Sequence, residues 1–206
     1  WEAFVRRVWQ ELGVRVQILQ GKQEALCGIT GALCAKTEGG ILDIGGGSTE
    51  VAVLRKGVLE CAESVNVGCV RGLELFCEDE YEKVISWAQE RFERLKLKDL
   101  PEIYAIGGTA TALAAIDLGL ERYDPDLVDG HEMSAQRLEA LMGQIHDLPK
   151  EERIKRMCLD SGRAEVIVFG LGVMLGFIKA YGIPKVIVSE ADTLEGYVLL
   201  RRQGRI

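Results

Sequence analysis

The chain has 206 residues, 48% of them hydrophobic, and a formal net charge of −7. That length holds one large domain or two small ones around a substantial core. The acidic balance and the lack of a basic block exclude nucleic acid or an anionic membrane surface as the main partner. The longest apolar run, Val166 to Ile178, is too short to span a bilayer and reads as a buried helix.

Trp1 to Leu12 places Phe4, Val5, Val8, Trp9 and Leu12 on one face and predicts an amphipathic helix. Val14 to Leu19 alternates and predicts a strand, and Gln23 to Cys34 a helix. Three strands follow at about 39–44, 49–55 and 58–66, joined by Gly-Gly-Gly-Ser and by Arg55-Lys56-Gly57. Joints this short imply antiparallel neighbours. A helix over 79–95 carries Tyr81, Val84, Ile85, Ala88 and Phe92 at helical spacing. Strand Ile103 to Ile106 runs through Gly107-Gly108-Thr109 into a helix, Ala110 to Leu118. An acidic loop, Glu121 to Asp129, leads to helices at 134–147 and 150–157. The apolar helix 163–180 reads as core, with the surface of a homodimer as the alternative. Strand Lys185 to Ser189 and a helix at 192–202 close the chain.

Three antiparallel strands followed by helix, strand, helix, strand and helix predict an α/β fold. It is the ribonuclease H-like lobe of the actin-like ATPase superfamily, with a mixed five-stranded sheet flanked by helices. Residues 37–206 form that lobe in this reading. Residues 1–36 belong to the tail of a missing N-terminal lobe or to an inter-lobe segment. A chain that begins with Trp1 reads as a piece of something longer. The six cysteines contain no Cys-x-x-Cys pair and read as free thiols of a reducing, cytoplasmic setting. The two histidines lack metal-type spacing, so zinc is not expected.

The chemistry concentrates in Asp43-Ile44-Gly45-Gly46-Gly47-Ser48-Thr49-Glu50, a strand, a glycine turn and a second strand. Such a turn turns several backbone N–H groups to one point with no side chains in the way, which suits a phosphate. Asp43 and Glu50 flank the turn and would repel bare phosphate. They make sense with a divalent metal or a nucleophilic water. At Gly107, Gly108 and Thr109 a strand passes directly into a helix, whose first amides and dipole form a second anion site. Thr109 is placed to cap that helix and to donate to a phosphate. By its surroundings alone, Glu24 is a first-turn helix acid. The acids of Ser189-Glu190-Ala191-Asp192-Thr193-Leu194-Glu195-Gly196 lie near the same sheet edge, where capping of the last helix is the plain reading.

Taken together, these segments resemble the exopolyphosphatase / guanosine pentaphosphate phosphatase (Ppx/GppA) family. The resemblance also rests on Leu19 to Ala25, Asn66-Val67-Gly68-Cys69-Val70-Arg71 and Arg163-Ala164-Glu165-Val166-Ile167. It implies two ribonuclease H-like lobes around a cleft. It also implies release of terminal phosphate from polyphosphate, or of the 5′ γ-phosphate from pppGpp, usually with magnesium. Glu24 matches the glutamate that activates or positions water. Asp43 matches an acid holding metal and water, and Glu50 a second cleft acid. Gly45, Gly46, Gly47, Ser48 and Thr49 match the phosphate cradle, and Gly107, Gly108 and Thr109 the other loop. The expected metal ligands are Asp43 and Glu50, and the expected partners are polyphosphate or guanosine penta- or tetraphosphate and the missing lobe. This sequence departs from the family pattern at Gln23, Glu190 and Leu194, where Glu, Asp and Arg are common. No Asp-x-Gly-Ser loop stands before residue 43, so the chain alone is expected to hydrolyse these substrates poorly or not at all. The alternatives are a binding module of actin-like fold that holds ppGpp, polyphosphate or nucleotide without turnover, and a sugar-kinase-like ATPase lobe.

Overall fold

The computed structural model describes residues 2–34 and 36–206. Trp1, where the first predicted helix begins, lies outside the described residues, as does Ala35 in the segment before residue 37. In chain order the elements are helices α1 (Glu2–Leu12) and α2 (Gly21–Leu33), then strands β1 (Gly39–Ile44), β2 (Thr49–Arg55) and β3 (Val58–Val65). Helix α3 (Cys69–Leu75), a 3₁₀ turn (Glu78–Glu80), α4 (Tyr81–Glu93), β4 (Ile103–Ile106) and α5 (Gly107–Asp117) follow. The chain ends with α6 (Pro125–Val128), β5 (Glu132–Ser134), α7 (Ala135–His146), α8 (Lys150–Arg156), α9 (Ser161–Tyr181), β6 (Lys185–Val188) and α10 (Thr193–Arg202).

The strands form one mixed sheet in the order β3-β2-β1-β4-β6-β5. β1, β2 and β3 are antiparallel neighbours, whereas β1, β4 and β6 run parallel. This is the ribonuclease H-like lobe, with six strands where five were expected. The sixth, β5, pairs antiparallel with β6 over three residues at the sheet edge, too short to show a period. Val14 to Leu19 alternates but joins no ladder and lies extended without regular structure. A strand needs a neighbour, and that segment has none among the described residues.

Period-two alternation divides the core between the two faces of the sheet. Leu42, Ile103 and Ala105 point into the larger cluster, built on α4, α5, α7 and α9. Ile41, Ala52, Tyr104 and Ile106 point to the opposite face, where Ala25, Ile29 and Leu33 of α2 cover them. The packing of α2 is therefore continuous with that of the sheet, across the expected boundary near residue 37. In contrast, α1 has no buried residue. Helix α9 is long and apolar enough to cross a membrane by length and composition, but 72% of its apolar window is buried inside the protein. It is the central core helix, as its sequence predicts.

Candidate functional site

Alternation also aims the acids. Asp43 shares the face of Ile41, and Glu50 shares the face of Ala52, so both turn toward α2. They stand directly opposite each other across β1 and β2, and Ser64 of β3 stands opposite Glu50. The result is a cross-strand row, Asp43–Glu50–Ser64, under the N-terminus of α2. Helix α2 starts with a reciprocal cap, in which Gln23 Oε1 accepts from the Gln20 N–H at 2.9 Å. A Glu at this position would accept the same bond, so the cap does not explain the departure at Gln23. One residue later, Glu24 faces the row.

These carboxylates feel one another. Burial pushes Asp43 up to about 7, and the charges of Glu50, Glu24 and Asp192 push the same way. The buried Thr193 hydroxyl interacts with the Asp43 carboxylate and offsets part of the rise. Burial, and then Glu50, raises Glu24 as well. Glu50 is 3% exposed, and its Oε1 accepts from Ser48 Oγ at 2.8 Å and from Ser64 Oγ at 2.6 Å.

The two glycine loops leave the C-terminal ends of adjacent parallel strands, β1 and β4. In the first, the Gly45 N–H closes the turn on the Ser48 carbonyl at 3.0 Å. The Gly45 and Gly46 carbonyls accept from Cys69, Val70 and Arg71 and so cap α3 from a distance. Within the turn, the amides of Gly46, Gly47 and Ser48 meet no backbone carbonyl among the described residues. They are the donors available to an anion. The second loop is pressed against the first. Gly107 has φ +77°, and a Cβ there would lie 2.5 Å from Asp43 Oδ1, so only glycine fits. The α5 N-terminus lacks a side-chain cap, which leaves its first amides open to a ligand.

Not every expected residue turns its side chain into this cleft. The Thr49 hydroxyl is fully buried and donates to the Val67 carbonyl at 2.6 Å. Thr109 does not cap α5; its hydroxyl donates to the Ile44 carbonyl at 3.1 Å and ties the two loops together. Ser48 spends its hydroxyl on Glu50, so only its amide faces a ligand. Asp192 caps α10, accepting from the Leu194 N–H at 2.8 Å, and also bears on Asp43. Glu190 receives the Tyr123 hydroxyl and is not among the charges that bear on Asp43.

Sequence reasoning missed Ser64, and it placed Arg71 and Arg163 in matching segments without giving them a role. Ser64 has no motif of its own. Arg71 donates from Nε to the Gly47 carbonyl at 3.0 Å, and the Arg163 guanidinium lies 3.7 Å from where a Gly108 Cβ would stand. Two cations therefore flank the loops of an acidic site. An open cavity of about 260 Å³ lies between Gly45, Gly46, Gly108 and Arg163.

Among the described residues, no three Asp, Glu, His or Cys side chains converge on a point that could hold a metal. Asp43 and Glu50 offer a partial donor set. Magnesium is commonly held by one or two carboxylates, with water and phosphate oxygens filling its shell, and these two residues fit that role.

The chain is similar to curated proteins and to solved structures along nearly its whole length. A bifunctional 3-dehydroquinate synthase/phosphatase of Fusobacterium nucleatum is 27% identical over 213 residues, covering 95% of this chain and 32% of the relative. A guanosine-5′-triphosphate,3′-diphosphate pyrophosphatase of Vibrio parahaemolyticus is 24% identical, covering 96% of this chain and 41% of that one. The chain thus spans about a third of the first of these curated relatives and about two fifths of the second. The crystal structure of the Aquifex aeolicus Ppx/GppA family member superposes with TM-score 0.84 at 27% identity, over 98% of this chain and 69% of that one. A Cytophaga hutchinsonii exopolyphosphatase has the same fold, with TM-score 0.85 at 19% identity over 98% of this chain and 70% of its own. The family model of the Ppx/GppA phosphatases matches residues 2–202, and this chain belongs to that family.

Proposed function

We propose that this chain carries the acid-lined half of a phosphoanhydride hydrolase that releases terminal phosphate from polyphosphate or the 5′ γ-phosphate from pppGpp. One observation supports this reading above the rest. Glu24, Glu50 and Asp192 all bear on Asp43 through their charges, beside two loops whose amides are free to donate. A phosphoryl group seated on the amides of Gly46, Gly47 and Ser48 has its developing charge met by fixed donors. Glu24, its proton affinity raised by burial and by Glu50, takes the proton of a water aligned behind phosphorus. Arg71 and Arg163 counter the remaining charge of the phosphate chain. A divalent cation, magnesium in this reading, would be held by Asp43 and Glu50 and would supply further charge neutralisation. Six free thiols are in keeping with a reducing, cytoplasmic compartment.

The test is orthophosphate release from polyphosphate and from pppGpp, with magnesium, by the longest natural protein that contains this chain. Glu24→Gln is expected to lower kcat by about 10²- to 10⁴-fold while substrate binding persists. Activity within threefold of wild type would remove Glu24 from the mechanism. Tight binding of ppGpp or polyphosphate without any release would favour a non-catalytic binding module.

A further inference from the structure

Glu50 is a buried acid, and a buried carboxylate needs partners for its charge. Its two hydrogen bonds come from hydroxyls, and both go to the same oxygen, Oε1. The other oxygen, Oε2, accepts from neither hydroxyl. Of the two donors, Ser48 belongs to the phosphate loop and Ser64 does not. Ser64 lies directly opposite Glu50 on β3, at the end of the cross-strand row that begins with Asp43. It also supports the start of α2, because a Cβ on Gly21 would lie 2.5 Å from Ser64 Cβ. Gly21 is the first residue of α2, and Glu24 follows three residues later. One small side chain thus touches both the element that carries Glu24 and the carboxylate that Glu24 faces.

We propose that Ser64 is a positioning residue for the phosphohydrolase reaction. It clamps Glu50 Oε1, leaves Oε2 unclamped, and seats the N-terminus of α2 so that Glu24 meets Glu50 at a fixed spacing. The hydroxyl does the clamping, and the lack of a Cβ on Gly21 permits the seat. This inference rests on the hydrolase reading above.

The test uses the longest natural protein that contains this chain, with Ser64→Ala, Ser64→Thr, Ser48→Ala and the double variant Ser48→Ala/Ser64→Ala. Ser64→Ala is expected to lower kcat by about 10- to 100-fold, the usual cost of losing a group that orients a catalytic ligand, with KM changed less than about threefold. Ser64→Thr keeps the hydroxyl and is expected to recover most of the loss. The double variant is expected to lose more than the product of the single losses, because each hydroxyl alone still holds Oε1. A kcat for Ser64→Ala within threefold of wild type overturns the proposal. So does a loss in Ser64→Ala that Ser64→Thr fails to recover while its melting temperature stays at the wild-type value. If wild type releases no phosphate, the hydrolase reading falls, and a crystal structure of Ser64→Ala then decides the positioning role. A Glu50 carboxylate rotated from its wild-type place supports the clamp, and an unmoved one overturns it.

Discussion

At Asp43 fold and chemistry pull against each other. The residue is buried among the charges of Glu50, Glu24 and Asp192, and its proton affinity rises from an ordinary 3.8 to about 7. The native state therefore holds a proton that the unfolded chain has already released between about pH 4 and pH 7. By linkage, stability falls as pH rises through that window, and the full cost stands above it. Asp43→Asn removes the charge and keeps the shape. It is expected to stabilise the chain at pH 8, by about 4 kcal/mol at most, and to have little effect near pH 4. Urea unfolding in a chelating buffer at the two pH values measures the difference. Equal effects at both would show that Asp43 is not strained by its charge. Phosphate release by the same variant is expected to fall, so that stability and activity move in opposite directions. Asp43 and Glu50 were legible in the sequence because two acids flank a glycine turn within eight residues. Glu24 was legible only through family likeness, since its own surroundings describe a plain first-turn acid. Ser64 was not legible at all, because its partner lies across a strand pair.

The elements reach the site through unusually close helix packing. Helices α2 and α10 cross at glycines. A Cβ on Gly196 would lie 1.7 Å from the Cys27 carbonyl oxygen, and one on Gly31 would lie 2.0 Å from that of Asp192. Backbone rests on backbone, so neither position has a flexible neighbour to give way. This crossing holds the acid of α2 beside the acid that caps α10. Gly196→Ala is expected to push the helices apart, lower stability by about 3 kcal/mol and reduce kcat as Glu24 and Asp192 separate. Chemical unfolding and phosphate release on the same sample check both effects. A variant as stable as wild type would show that the crossing is looser than drawn. The strands β1 to β4 and the long helices were legible from alternation and helical spacing. What stayed hidden was set by distant partners. Helix α3 takes its cap from the carbonyls of Gly45 and Gly46, more than twenty residues away, and β5 exists only because β6 lies beside it.

At the scale of the whole molecule, the acids and open amides lie at one edge of a lobe, and α1 lies apart from its core. Trp9 and Leu12 of α1 are 50% and 70% exposed, and Val14 and Ile18 of the extended segment after it are 54% and 52% exposed. The one-sided apolar pattern of α1 is that of a helix built to cover something, yet the helix buries nothing here. The solved Aquifex aeolicus relative extends beyond the matched region by nearly a third of its length. We expect a further lobe to cover this apolar face and to close the cleft over the phosphate from the opposite side. Water exclusion and the second set of donors would then come from that lobe. The 206-residue chain alone is accordingly expected to bind tripolyphosphate but to turn over polyphosphate or pppGpp at less than about a hundredth of the rate of the longer protein. Trp9 gives a readout independent of turnover, namely fluorescence emission compared between protein of either length with the other two tryptophans replaced. Emission is expected at longer wavelength in the chain alone and shifted to the blue where the further lobe is present. Robust magnesium-dependent phosphate release by the chain alone would sink the two-lobe account of catalysis, and unshifted Trp9 emission would sink the covering role of that lobe.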